Sequence, residues 1–179
     1  MKRLLAFAFA LLAPLGPVQA QLPVGARAPA IVTQAALGGR VMPFNLRNAL
    51  RRGPVVLYFY PKAFTQGCTL ETRAFAEAHD QFAAAGATVI GLSADDLPTL
   101  QRFSTEECRS KFAVGVATPA IIQGYDVALV HPRITGSITS RTSYVIGRDG
   151  RVRFVHSDMD YRDHVRLTLA AVQSLRPRR

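Results

Sequence analysis

Six consecutive apolar or aromatic residues, Val55-Val56-Leu57-Tyr58-Phe59-Tyr60, form an unbroken hydrophobic run. With no polar alternation, the run reads as a strand buried on both faces, and Pro61 stops it. After a short loop a different periodicity takes over. Phe75, Ala78, His79 and Phe82 recur at helical spacing within Thr69 to Ala85, and Gly86 ends that helix. Thr88-Val89-Ile90-Gly91-Leu92 is a second core strand. Ser93-Ala94-Asp95-Asp96 caps a helix over about Leu97 to Phe103, with Pro98 in its first turn. Ser104-Thr105-Glu106-Glu107 has the form of a capping box, which predicts a break and restart, with Cys108 in the restarted turn.

The flanks are less regular. Gln21 to Ala30 is an extended, proline-marked lead-in, and Gly38-Gly39 is a turn between two short segments. Val41 to Leu46 is a short strand or turn, and Arg51-Arg52-Gly53-Pro54 a solvated approach to the central strand. Thr118-Pro119 begins an irregular connection, and the pattern does not decide between strand and helix over Tyr125 to Val130. Ser143-Tyr144-Val145-Ile146 is a strand, Arg148-Asp149-Gly150 a tight turn, and Arg151 to Val155 an alternating hairpin partner. Tyr161 to Leu175 is an amphipathic helix with Val165, Leu169, Val172 and Leu175 on one side. Two strands joined by helical crossovers, then a hairpin and a closing helix, imply a three-layer α/β sandwich.

The beginning of the chain follows another logic. Met1-Lys2-Arg3 is basic, Leu4 to Leu12 is entirely apolar, and Val18-Gln19-Ala20 has the small or apolar residues a signal peptidase reads. Residues 1–20 are expected to be a cleaved secretory signal and 21–179 a single domain, in the periplasm or secreted. Nine apolar residues followed by Pro14 and Pro17 are too short and too broken for a membrane anchor, so no stable membrane insertion is expected.

The net charge of +10 falls to +8 once Lys2 and Arg3 are removed. Such an excess suits nucleic acid or an anionic surface. No nucleic-acid module is recognisable and export argues against DNA, so the excess reads as solvated surface. Arg162, Arg166, Arg176, Arg178 and Arg179 crowd near the end.

The chain has two cysteines, Cys68 and Cys108. Their spacing is neither a Cys-x-x-Cys pair nor a structural zinc site. The four histidines make no zinc-protease pattern, and no phosphate loop or dinucleotide fingerprint occurs. No metal or organic cofactor is expected. Cys68 lies where the first core strand hands over to a helix. Helix N-termini present unpaired N–H groups and a positive dipole end, which lower a thiol's pKa and favour the nucleophilic thiolate. Thr65 can place a hydroxyl beside that sulfur. A free cysteine is also a small hydrophobe, but Thr65, Gln66, Gly67 and Thr69 are not a packing face. His79, on the helical stripe, reads as a satisfied half-buried histidine rather than an acid–base group.

Pro61, Thr65 and Cys68 match the Pro-x-x-x-Thr-x-x-Cys motif of the peroxiredoxins, and Gly67-Cys68-Thr69-Leu70-Glu71 resembles the bacterioferritin-comigratory, or Q-type, branch. The resemblance runs from about Leu22 to Leu175. It takes in Val24-Gly25-x-x-Ala28-Pro29 and Lys111-Phe112-Ala113-Val114. It implies a thioredoxin-like fold with a central mixed sheet, and a monomeric thiol-dependent peroxidase acting on hydrogen peroxide and alkyl hydroperoxides. A thioredoxin-like protein or other thiol would be the reductant. Cys68 would attack the peroxide, Thr65 would donate to the peroxide or the thiolate, and the N–H groups of Gly67 and Cys68 would bind peroxide oxygen. Pro61 would shield the sulfur. Arg141 looks like the arginine that holds the thiolate and polarises the peroxide, with Glu71 its salt-bridge partner. Gly147 stands where the family often has Asp. Arg73 occupies the branch's commonest resolving position, five residues after the reactive cysteine. That leaves Cys108, on the following helix, as the resolving thiol of an intramolecular disulfide; a bystander cysteine or pairing between subunits are the alternatives. Two other classes stay open: an envelope thiol–disulfide oxidoreductase, and a non-enzymatic exported protein with a structural Cys68–Cys108 bond.

Overall fold

The computed structural model describes residues 21–129 and 138–175. The expected signal segment at 1–20 and the basic residues at 176–179 lie outside the described residues. A seven-stranded mixed sheet is built from β1 (Val32–Leu37), β2 (Arg40–Asn45), β3 (Val55–Phe59), β4 (Thr88–Ser93), β5 (Ala113–Val116), β8 (Thr142–Ile146) and β9 (Val152–Ser157). Its order is β2-β1-β5-β4-β3-β8-β9. The helices are α1 (Leu46–Arg52), α2 (Gln66–Ala84), α3 (Leu97–Glu106), α4 (Pro119–Gly124) and α5 (His164–Ser174), with a single 3-10 turn, Tyr161–Asp163, before the last. A two-residue pair, β6 (Ala128–Leu129) and β7 (Ile138–Thr139), stands apart from the main sheet. β3, β4 and β5 run parallel; every other pairing is antiparallel. This is the expected thioredoxin-like three-layer architecture.

The continuous hydrophobicity of β3 follows from its place. Val55, Leu57 and Phe59 point into one core with Leu46, Ala49 and Leu50 of α1 and Ile121 and Ile122 of α4. Val56, Tyr58 and Tyr60 point into the other, with Phe75 and Phe82 of α2, Leu100 and Phe103 of α3 and Val172 of α5. Burying such side chains stabilises the fold by roughly 1.5–3 kcal/mol each. The two-residue period of a strand therefore carries apolar residues on both faces.

Several local expectations are corrected. The approach to β3 is helical: Asn45 caps α1 by accepting from the Asn48 N–H at 3.2 Å. The connection at Thr118 is also a helix, α4, with Thr118 as its cap and Pro119 in its first turn. The undecided stretch from Tyr125 begins with a buried ring that closes α4 and then enters β6.

α3 does not break at Ser104. Ser104 is fully buried; its hydroxyl donates to the Gln101 carbonyl at 2.7 Å and accepts from the Gly39 N–H at 2.8 Å. A side chain tied into the β1–β2 turn is not capping a new helix. On α5 the expected Val165, Leu169 and Val172 pack against the core, while Leu175 lies just past the helix end and is 38% exposed; His164 and Thr168 are buried beside them.

Candidate active site

The loop between β3 and α2 is held from outside itself. Within the stretch expected to cap α3, Asp95 accepts from the Ala63 N–H at 2.7 Å and the Ser93 hydroxyl at 2.8 Å. Asp96 is the cap, accepting from the Thr99 N–H at 2.9 Å. Phe64 takes a left-handed backbone conformation (φ 63°) and packs edge-on against Phe103 at 5.1 Å. A non-glycine residue held at positive φ marks a loop whose surroundings impose its shape.

Thr65 is the extended residue before α2, but its hydroxyl donates to the Lys62 carbonyl at 2.9 Å. Of its two expected roles, donation to the thiolate is not what this hydroxyl does here; it closes the loop at the exposed rim. Half-buried Pro61 stands at the start of the same loop.

Cys68 is the third residue of α2 and only 1% exposed. The first helical bond runs from the Thr69 N–H to the Thr65 carbonyl at 2.8 Å, so the N–H groups of Gly67 and Cys68 have no intrahelical acceptor. Arg141 supplies the facing charge. Pairing of Phe59 with Thr142 sets Arg141 just beyond the C-terminal end of β3. Its Nη2 donates to Cys68 Sγ at 3.5 Å, its Nε to the Met159 carbonyl at 3.0 Å, and its Nη1 to Glu71 Oε2. Gly67 makes room for it: a Cβ there would lie 3.1 Å from Arg141 Nη2. Glu71, one turn along α2 from Cys68, is fully buried. Burial raises its carboxyl to about 8, against the opposing pull of Arg141.

The partners on the far side of this cluster escaped sequence reasoning. His164 is fully buried, with Nδ1 3.7 Å from Glu71 Oε1. Its Nδ1 meets Ser143 Oγ at 2.8 Å and its Nε2 meets the Asp158 carbonyl at 2.9 Å. His156 stacks edge-on behind it at 4.6 Å. Burial lowers the His164 pKa to about 4, with His156 and Arg141 adding to that direction. The available signal was the i, i+4, i+8 series His164, Thr168, Val172, which the more apolar stripe beside it masked. His79 matches its expected bland role, bonded to Asp80 at 3.0 Å. Gly147 lies in the β8–β9 turn.

Cys108 is fully buried in the turn after α3, in the same core layer as Cys68. Burial, and then Glu107, push its thiol well above the ordinary range. Both cysteines are free thiols. Arg73, at the position five residues after Cys68, bonds to Glu107 at 2.5 Å. Among the described residues no cluster of side chains could hold a metal ion. A cleft of about 890 Å³ lined by Arg27, Arg47, Arg51 and Arg148 lies at the opposite end of β3 and includes none of the residues around Cys68.

A buried cysteine in the first turn of a helix, faced by a buried arginine, thus sits on a thioredoxin-like fold. The AhpC/TSA family matches residues 24–155. The chain is 31% identical to the chloroplastic peroxiredoxin Q of Oryza sativa subsp. japonica over 173 residues, covering 89% of this chain and 77% of that protein. It is 32% identical to the chloroplastic peroxiredoxin Q of Suaeda salsa over 123 residues, covering 68% of this chain and 56% of that protein. Among solved structures, peroxidoxin BcpB from Mycobacterium tuberculosis superposes with a TM-score of 0.76 at 27% identity, over 86% of this chain and 98% of that one. The chain belongs to the AhpC/TSA family, close to the peroxiredoxin Q branch. Homology to these enzymes supports a thiol peroxidase activity.

Proposed function

We propose that the protein reduces hydrogen peroxide and alkyl hydroperoxides by attack of the Cys68 thiolate, with Cys108 as an intramolecular resolving thiol. The carrying observation is the 3.5 Å contact from Arg141 Nη2 to Cys68 Sγ. A buried thiolate needs an opposing charge, and Arg141 supplies it from within the same water-poor site. Sulfur attacks the near oxygen of the peroxide. The S–O bond forms, the O–O bond breaks, and the far oxygen leaves as alkoxide or hydroxide and takes up a proton. Arg141 and the N–H groups of Gly67 and Cys68 are donors for that developing charge. Thr65 stands at the rim, where its oxygen can accept the peroxide O–H, and Pro61 screens the loop.

The resulting sulfenic acid is then attacked by Cys108, which forms the disulfide and releases water. A thioredoxin-like dithiol returns both thiols, and no cofactor takes part. Residues 1–20 act in this reading as a cleaved leader that carries the monomeric domain 21–179 to the periplasm or beyond. No helix of the described residues is long and apolar enough to cross a membrane.

The test is turnover of hydrogen peroxide and an alkyl hydroperoxide with a thiol donor. The Cys68→Ser protein should lose that turnover while keeping its thermal transition. One equivalent of peroxide followed by peptide mass spectrometry without reductant should show a Cys68–Cys108 link in a monomer. A Cys68 thiol untouched by stoichiometric peroxide overturns the peroxidase. Lasting sulfenic acid beside a free Cys108 overturns the resolving step alone, and faster turnover of a disulfide substrate would favour the oxidoreductase.

A further inference from the structure

Glu71 Oε1 is a fully buried oxygen with no hydrogen-bond partner, in a side chain whose other oxygen is held by Arg141. A buried carboxylate left with a bare oxygen is costly. The neighbour it faces is His164 Nδ1, at 3.7 Å. The protonation of that ring follows from its other contacts. The Asp158 carbonyl can only accept, so the proton of a neutral His164 sits on Nε2. Nδ1 is then bare, and the Ser143 hydroxyl donates to it. His164 thus offers no donor to the bare oxygen of Glu71, and its Nδ1 is an acceptor already engaged by Ser143. A buried carboxylate oxygen that no donor reaches is relieved by one proton on the carboxyl itself.

We propose that His164 is a positioning residue that keeps Glu71 in its protonated, neutral form by offering it no donor, so that the charge of Arg141 stays uncompensated in front of Cys68. This rests on the peroxidase reading, since the arrangement serves a Cys68 thiolate. The charge count supports it. With Glu71 neutral, the Cys68 thiolate and Arg141 cancel. With Glu71 ionised, the same buried cluster would hold a net negative charge, and Arg141 would be shared between two anions. Burial pushes the Glu71 carboxyl in the same direction, to about 8.

The other groups around Glu71 do not supply the missing donor. Arg141, between β7 and β8, binds the other oxygen. His156 of β9 lies behind His164 and leaves its own Nε2 unpartnered. Tyr58 of β3 is a buried neutral phenol whose hydroxyl pairs with Thr72 at 3.1 Å. Cys68 is the remaining neighbour on α2, and its sulfur faces Arg141.

The inference is tested in the reduced full-length protein by infrared spectroscopy. A carboxylic-acid carbonyl band should persist at neutral pH, vanish in Glu71→Gln, and titrate as pH rises. His164→Asn sets an amide N–H within reach of Glu71 and should move that titration down by a pH unit or more, about tenfold in proton affinity. Ser143→Ala leaves Nδ1 open to the Glu71 proton and should move it up. Shifts of opposite sign separate positioning from a merely structural role, and Ser143→Ala stands alone if the histidine variant does not fold. The second-order rate constant for peroxide should fall as Glu71 ionises in the unmutated protein, and should not fall in Glu71→Gln. Absence of the band at neutral pH, or a titration that neither variant moves, overturns the proposal. The band survives in Cys68→Ser, so a band present in a protein that reduces no peroxide upholds the proton assignment and removes the peroxidase instead.

Discussion

Arg73 Nε lies 2.5 Å from Glu107 Oε2, which ties the reactive helix to the residue just before Cys108. The pair is the first rung of a ladder. Glu77 meets Arg109 at 3.5 Å and Asp80 meets Lys111 at 3.6 Å. Positions 73, 77 and 80 share one face of α2, and alternate residues of 107–111 face them. Within the laddered turn, Arg109 (φ 48°) and Ser110 (φ 55°) hold left-handed conformations without being glycine. Such residues cost on the order of 1–3 kcal/mol each and persist only where neighbours impose them. The ladder thus clamps a strained turn and keeps Cys108 buried. In the proposed cycle Cys108 has to come within about 7 Å of Cys68, Cα to Cα, for the disulfide to form.

Releasing the clamp should therefore speed resolution. Arg73→Ala should accelerate formation of the Cys68–Cys108 disulfide about two- to fivefold, the scale of a partly exposed ion pair. Added salt should act in the same direction on the unmutated protein. The measurement is quenched-flow alkylation after one equivalent of peroxide, with the disulfide quantified by mass spectrometry. Rates indifferent to both changes would mean that the ladder does not restrain Cys108.

Gly67→Ala separates stability from activity. Alanine is the better helix former by about 1 kcal/mol, and Gly67 lies in the first turn of α2. Its Cβ would nevertheless stand 3.1 Å from Arg141 Nη2 and displace the guanidinium from Cys68. The thermal midpoint should hold or rise slightly while the peroxide rate constant falls roughly tenfold or more, given the 10²–10³ typical of losing one such donor. Equal rates in both proteins would show that the arginine's placement is not what activates the sulfur.

Stability should depend on pH through two buried groups of opposite effect. Glu71 ionises near its ordinary 4.5 when unfolded but only at about 8 when folded. The folded state therefore holds the extra proton between these values, and stability falls as pH rises through them. His164 is lowered from 6.5 to about 4, so the unfolded state holds the extra proton in that interval and stability rises with pH there. The two cancel between about 4.5 and 6.5. From about 6.5 to 8 only Glu71 acts, with a loss on the order of 1–2 kcal/mol. Urea denaturation across this range should show the decline in the unmutated protein and a flat profile in Glu71→Gln. A decline of equal size in both would assign it elsewhere.

What could be read along the chain was local. The unbroken run of β3, the proline after it and the helical period beyond place Cys68 at a strand–helix junction, because neighbours in sequence share that geometry. The layer order also follows, since alternating strands and helices leave few ways to cover a sheet on both faces. The helices α1 and α4 were missed because they are short, and their apolar faces matter only against β3 and its neighbours.

The rest was decided by the folded arrangement. Arg141 reaches Cys68 only because β8 pairs with β3 in a register that sets Phe59 opposite Thr142. Ser104 fits a capping box by spacing, yet its hydroxyl is claimed by Gly39 from the far edge of the sheet. His164 stands in a helix beside a more apolar stripe, and only the approach of α5 to α2 turns it toward Glu71. Periodicity reports which face of an element is buried. It does not report which polar groups meet on that face, because such meetings depend on elements scores of residues apart being brought together by the sheet.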